Sequence, residues 1–447
     1  MRSLAVSLGC LTVTTICPAQ NPDWVRVTTT TSPPGRHGHA MAYDSARQRV
    51  VLFGGGLVKL NDTWEYDGRN WTKMNPQTSP PGRFIHAMAY DSVRKRTVLF
   101  GGVGSSNPRF NDTWEWDGVN WTQIKTLNSP SVRGGHSMAY NSITGRTVMH
   151  GGTTTGACAL ILAGTWEYDG KNWTHVTTTT PLPARARYGM VAHGFLQSTL
   201  VFGGLIQGSC GRLNDTWEWT ISKTWRQLTP TISPPARGHF QMAGDSFRRR
   251  AVLFSGSGTG ITNDTWEFDG KTWAKMSPLT SPPKTTAGAM AYDSVRRRVV
   301  LFAGIGNGAN TWEYGLPQTL TANPSTISIA NGGTQTLTLN AGTAHANRLY
   351  WIFGSMTGTS PGTNLLGVNI PLNLDPYTDL LLGAVNTAVF ANFKRALSAT
   401  GAATATLNVP AKLPIPTGLK IYHAYVVYNG TTGQIYTASN PVSVELK

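Results

Sequence analysis

NDTWEYDGRNW, residues 61–71, returns as NDTWEWDGVNW from Asn111, GTWEYDGKNW from Gly164, NDTWEWTISKTW from Asn214 and NDTWEFDGKTW from Asn263, with a truncated copy, NTWEYG, from Asn310. Its tryptophans, Trp64, Trp114, Trp166, Trp217, Trp266 and Trp312, stand 50, 52, 51, 49 and 46 residues apart. A period near fifty belongs to propeller blades or arrays rather than to helical solenoids. Within each period four short segments recur, first seen as HAMAYD (39–44), RVVLFGG (49–55), DTWEYD (62–67) and NWTKM (70–74). Apolar runs bounded by Gly, Asp, Asn and Pro read as strands, and four antiparallel strands make one blade.

Counting the copies predicts how the ring closes. The fourth-strand tryptophan follows its own third strand at Trp71, Trp121, Trp173, Trp225 and Trp273, but not after TWEYG. The missing copy stands at the other end of the chain, as Trp24 in NPDWVRV. The N-terminal strand is therefore expected to complete the sixth blade, which removes the open sheet edge.

The repeat resembles the kelch family. The likeness rests on the glycine pairs that end the second strand: Gly54–Gly55, Gly101–Gly102, Gly151–Gly152 and Gly203–Gly204, weakening to Ser255–Gly256 and Ala303–Gly304. It rests also on the third-strand aromatic paired with the fourth-strand tryptophan, as in Tyr66 with Trp71. The resemblance covers residues 21–316 and implies a six-bladed propeller. It implies no chemistry, because one fold carries many unrelated sites. Galactose-oxidase-like enzymes share this architecture and need two Tyr and two His on copper with a Cys–Tyr crosslink; no such constellation is visible. Sialic-acid epimerases are six-bladed relatives that use Arg plus an acid; the arginines fit, but the acid is missing from the loops.

Residues 323–447 abandon the repeat. TISIANGGTQTLTLN, LYWIFG, ATATLNVP, GLKIYHAYVVYN and PVSVEL read as short strands, so the all-β chain is expected to end in an immunoglobulin-like β-sandwich. This part resembles a C-terminal module of exported bacterial proteins, notably of planctomycete-like lineages. The N-terminus, MRSLAVSLGCLTVTTICPAQ, reads as a secretory signal peptide over residues 1–19: Arg2, an apolar stretch from Leu4 to Ile16, and Ala19 before the cleavage point. Beyond it no apolar run reaches the eighteen residues of a membrane span. The expected location is outside the cytoplasm: periplasmic, cell-surface or extracellular. Cys158 and Cys210 then remain, each six residues after its glycine pair in blades three and four, and are expected to form a disulfide. N-x-T sites such as Asn61 and Asn70 arise from the repeat itself.

Three sets of residues are candidates for function. Arg36, Arg83, Arg133, Arg185 and Arg237 each stand five residues before a first-strand Met, with Thr285 in the sixth place. Five arginines round a channel mouth could hold a carboxylate or sulfate. The competing reading pairs them with Asp62, Asp112, Asp215 and Asp264. Blade three keeps Arg133 but has Gly164 at the aspartate position, so Arg133 and the nearby Arg187 are the best candidates for a free anion site.

His39, His86 and His136 occupy one equivalent place, taken elsewhere by Tyr188, Phe240 and Gly288. Separate blades project them and aromatics replace them, so neither a metal site nor a cofactor is expected. The net charge of +16 concentrates in first-to-second strand turns: Arg47 and Arg49; Arg94, Lys95 and Arg96; Arg146; Arg248, Arg249 and Arg250; Arg296, Arg297 and Arg298. Such a crown could bind lipopolysaccharide, teichoic acid or extracellular DNA.

The loops joining second to third and fourth to first strands hold no Glu and no His. No pair of titratable groups converges there as acid–base catalysis requires. The sequence therefore points to a secreted or surface binding or adhesion scaffold for a protein or glycan. A carbohydrate-acting enzyme at the channel mouth and a polyanion binder on the basic face are the alternatives.

Overall fold

The computed structural model describes residues 22–447 apart from 57, 157, 194–196, 317–318, 343–344, 360–361, 366–367 and 413. The stretch assigned to a signal peptide, 1–19, lies outside the described residues. The chain divides into two units, the first Pro22–Gly315, the second comprising Leu316–Lys447 among the described residues.

Six four-stranded antiparallel sheets build the first unit. Blade one runs outward through Ala40–Asp44, Arg49–Gly55, Leu60–Tyr66 and Trp71–Lys73. Blades two to five repeat it from Ala87–Asp91, Ser137–Asn141, Gly189–His193 and Gln241–Asp245. Blade six takes Ala289–Asp293, Arg298–Phe302 and Thr311–Gly315 from the end of the repeat and Asp23–Val27 from its beginning. Trp24 lies opposite Tyr314 and Val27 opposite Thr311. The ring is shut by the two ends of the repeat array, as the count of tryptophans predicts.

The hydrophobic core sits between blades rather than inside any one. Leu200 and Phe202 of blade four pack in one cluster with Met242, Leu253, Trp266 and Trp273 of blade five. Each fourth-strand indole is buried in that wedge and donates to the threonine of the preceding blade's TWE. Trp71 Nε1 bonds Thr311 Oγ1 at 2.8 Å, Trp121 bonds Thr63 at 2.8 Å and Trp173 bonds Thr113 at 2.9 Å. Trp225 bonds Thr165 at 2.7 Å, Trp273 bonds Thr216 at 3.0 Å, and Trp24 closes the set on Thr265 at 2.9 Å. A buried indole N–H without an acceptor would carry a desolvation penalty, so the threonine is as necessary as the tryptophan. The glutamate of TWE serves the junction on the other side. Glu65, Glu115, Glu267 and Glu313 accept from Trp116, Tyr168, Tyr314 and Tyr66 of the following blade at 2.8–2.9 Å.

The glycine pairs have a steric cause. A Cβ at Gly151 would lie 2.3 Å from the Arg185 carbonyl oxygen of the next blade, and Gly102 is held at φ 102°. The second glycine's N–H reaches across: Gly102, Gly152 and Gly204 donate to the carbonyls of Arg133, Arg185 and Arg237 at 2.8–2.9 Å.

The second unit is a two-sheet β-sandwich. One sheet orders Leu320–Asn323, Gly333–Asn340, Ala402–Val409 and Phe390–Ala391. The other is built on Leu419–Tyr428 between Val442–Leu446 and Leu349–Ser355. GTQTLTLN alternates exposed and buried positions over its second half, as a strand with one wet face must. Leu337, Leu339 and Leu407 of one sheet share a core with Tyr350, Ile352, Tyr425 and Val444 of the other. A short helix, Pro376–Gly383, capped by Asp375, was not expected from the sequence.

Replacing Trp24 by Ala removes the wedge and strands the Thr265 hydroxyl. Chemical denaturation is expected to show a loss of about 3–5 kcal/mol; a loss under about 1 kcal/mol would mean that the N-terminal strand does not seal the ring.

Candidate functional site at the axial mouth

The innermost strands begin on the face formed by the second-to-third and fourth-to-first strand loops. Two residues beyond each loop arginine, and beyond Thr285 in blade six, the backbones of neighbouring blades join. The six residues at this place are Gly38, Ile85, Gly135, Arg187, His239 and Ala287, all with φ between 52° and 69°. Each donates its N–H to the equivalent carbonyl of the preceding blade. Gly38 bonds Ala287 at 2.7 Å, Ile85 bonds Gly38 at 2.6 Å, and Gly135 bonds Ile85 at 2.8 Å. Arg187 bonds Gly135 at 2.8 Å, His239 bonds Arg187 at 3.0 Å, and Ala287 bonds His239 at 2.9 Å. The circle spends all six of these N–H donors. Specific chemistry at the mouth must then come from side chains, and among these six residues only Arg187 and His239 carry polar ones.

Arg187 lies along Gly135, where a Cβ would fall 2.9 Å from its Cδ and Nε. Its Nε is buried without a hydrogen-bond partner, and no carboxylate pairs with it among the described residues. Burial, aided by the charge of Arg109, lowers its pKa to about 10. His239 is lowered to about 4 by burial and by the charges of Arg187 and Arg212, so it is neutral near pH 7. Arg109 and Arg212 belong to a second layer. Arg109 Nε donates to Thr153 O at 3.1 Å and Arg212 Nε to Ser257 O at 3.0 Å, each bridging to the next blade's loop. Lys59 makes the same reach to Ser105 O at 3.0 Å. Between blades three and four the tie is covalent: Cys158 and Cys210 form a disulfide with Cα atoms 5.4 Å apart, packed against Ala186 beside Arg187.

Most of the other arginines singled out in the sequence are internal. Arg36, Arg83, Arg185 and Arg237 are at most 3 % exposed, and each forks onto its aspartate: Asp62, Asp112, Asp215 and Asp264, at 2.6–2.9 Å. They are not free to take a ligand, since both carboxylate oxygens already fill the fork. Arg133 keeps the fork's backbone anchors without a carboxylate.

In the basic crown several arginines are likewise paired with carboxylates. Arg94 spans Asp91 and Glu115, Arg248 spans Asp245 and Glu267, and Arg296 spans Asp293 and Glu313. Arg96 and Arg250 lie near Asp117 and Asp269, whose pKa values they help to lower, and Arg298 is buried. Lys95, Arg249 and Arg297 remain on three separate turns, with Arg297 stacked 3.6 Å over the Phe247 ring. Three separated charges give a weak polyelectrolyte site.

His39, His86 and His136 are buried and pack edge-on against Phe302, Phe53 and Phe100 of the preceding blade. They are wedge residues, as Tyr188 and Phe240 are in blades four and five. No cluster of three or more His, Cys, Asp or Glu side chains able to hold a metal occurs among the described residues.

Comparison with known proteins matches the KLHDC2/KLHL20/DRC7 Kelch-repeats domain, over residues 12–194 and 119–304. The chain belongs to the kelch-repeat family. No curated protein matches its sequence. Among solved structures, that of YjhT aligns with a TM-score of 0.50 at 15 % identity, over 64 % of this chain and 96 % of that one. The SapL1 lectin in complex with alpha methyl fucoside aligns with a TM-score of 0.41 at 14 % identity, over 60 % of this chain and 88 % of that one. At such identities the likeness to YjhT shows the propeller fold alone.

Arg109, Arg212 and His239 were missed in the sequence. The first two had a signal, a basic residue three before the Asp in blades one, two and four. His239 had none, because the positive φ it shares with Gly38 and Gly135 is invisible in a non-glycine residue.

Burial lowers His39, His136 and His150 to about 3 from an ordinary value of 6.5. They stay neutral in the fold and protonate when it opens. Their contribution is present above pH 6.5 and lost as pH falls from there toward 3, by up to about 1.4 kcal/mol per pH unit for each. His136→Phe, which copies blade five, is expected to shallow the acid loss of stability in urea titrations at pH 7, 6, 5 and 4. An unchanged slope would mean that His136 is not held neutral.

Proposed function

We propose that this kelch-repeat propeller is a non-catalytic binding scaffold, working outside the cytoplasm, that takes an anionic group of its ligand at the axial mouth. The observation that carries the reading is Arg187, a half-buried arginine whose Nε is buried and unpartnered, with no carboxylate beside it among the described residues. A buried cation without a counter-ion is costly, and a carboxylate or sulfate offered by a ligand would relieve that cost through charge-assisted hydrogen bonds. Arg109 and Arg212 add positive potential, and the backbone circle holds the platform rigid. The Cys158–Cys210 disulfide and the signal-like N-terminus support export. The nearest aspartates are consumed by Arg36, Arg83, Arg185 and Arg237, which supports binding over acid–base chemistry.

Matched neutral, uronic-acid-containing and sulfated oligosaccharides on one array test the reading. Binding is expected to the acidic members only, and Arg187→Ala, the residue blade six carries at Ala287, should weaken it at least tenfold. Equal binding of neutral and acidic members, or full binding by Arg187→Ala, would overturn it.

A further inference from the structure

Four blades contain the same small receptor, already filled. In each, the arginine fork grips both oxygens of one aspartate, and the third-strand indole adds a third donor to the same carboxylate. Trp64, Trp114, Trp217 and Trp266 bond Asp62, Asp112, Asp215 and Asp264 at 2.6–2.7 Å. The arginine side chains are 0–2 % exposed, whereas the aspartates are 14–18 % exposed. The carboxylate therefore enters from the solvent side.

Blade three has the receptor without its occupant. Arg133 Nη1 bonds Gly151 O at 2.9 Å and Nε bonds Ser131 O at 3.0 Å. These are the anchors that Arg83 makes to Gly101 O and Pro81 O, so the fork has the same orientation. Trp166 keeps its place in TWE. The aspartate position is Gly164, which has no side chain to offer. Ser131, where blades one and two have Pro34 and Pro81, gives its hydroxyl to Nη2 at 3.1 Å; it satisfies one donor and no charge.

A cavity of about 160 Å³ adjoins Gly164, lined also by Thr165, His175 and Leu182, and by His150 next to Gly151; the exposed His175 ring, packed on Trp166, covers Gly164 and must swing aside for a ligand to reach the fork. His150 is 1 % exposed and its Nδ1 has no partner. That volume is about five waters' share of liquid, room for a carboxylate with a tail of a few carbons.

We propose that blade three binds a carboxylate from outside the repeat, its oxygens on the Arg133 fork and the Trp166 indole, its tail in the cavity beneath Gly164. The site is separate from the axial mouth and does not rest on the function proposed for it. The same chemistry can come from a free short-chain acid or from an acidic side chain of a peptide.

Titration calorimetry on the whole protein at fixed ionic strength tests this with acetate and propionate in one arm and N-acetyl-glutamate amide in the other; methyl acetate is the neutral control. Saturable binding in either arm, and none of methyl acetate, is expected, and the tighter arm names the source. Arg133→Gln should weaken it at least tenfold. Because that variant could unfold, Trp166→Phe is the second: it keeps the ring that packs on His175, removes only the indole donor, and should weaken binding several-fold. No saturable binding in either arm, or undiminished binding by a folded Trp166→Phe protein, would overturn the proposal.

Discussion

The bond from a fourth-strand indole to the threonine of the preceding blade governs this propeller. It joins sheets that share no strand, and it occurs at every one of the six junctions. A hydrophobic wedge alone would let blades slide, because area burial is not directional. The indole N–H fixes both depth and rotation, since it must find one oxygen in a dry interface. Once the wedges are fixed, the innermost strands are delivered to the axis in register, and the circle of backbone bonds from Gly38 to Ala287 can close.

That circle decides where specificity can reside. Glycine would suit its φ values near 60°, yet Ile85, Arg187, His239 and Ala287 accept them. Non-glycine residues at such angles cost energy, and here neighbours on both sides enforce the conformation. Blade-to-blade variation at this place is therefore variation in side chain on a constant backbone, and Arg187 is the one position where it leaves a charge unmatched.

The architecture was legible because it is written several times. Trp24 could be assigned to blade six because five complete copies showed which segment the sixth lacked. Cys158 and Cys210 could be paired because both sit at the same offset from a glycine pair. The ion pairs were readable for a related reason: Thr285 and Asn310 lose Arg and Asp together. A feature carried by only one copy has no counterpart against which to be read. His239 falls on a position whose geometry no residue type announces, and Arg94, Arg248 and Arg296 resembled free surface charge because their partners, Asp91 with Glu115 and their equivalents, lie on two different strands. The helix Pro376–Gly383 belongs to a unit with no internal copy for comparison.

Departures from the repeat carry their own repair, and the repair shows what was lost. In blade five Ser255 replaces the first glycine, and its Oγ bonds both Thr285 O and Thr285 N–H, at 2.6 and 3.0 Å, beside the one position that lacks arginine. There a neutral loop is stitched with neutral bonds, and what remains over is the uncharged Thr285 hydroxyl. In blade three Ser131 answers the loss of the aspartate in the same currency, a hydroxyl, but the group it faces is a guanidinium. Hydrogen bonding is restored there and charge is not. A neutral oxygen cannot offset the desolvation of Arg133 as a carboxylate does, and burial accordingly holds its pKa down to about 10. The two repairs use the same residue type and differ in one respect, the residual charge, and that residue of positive charge beside an open cavity sets blade three apart from the other five.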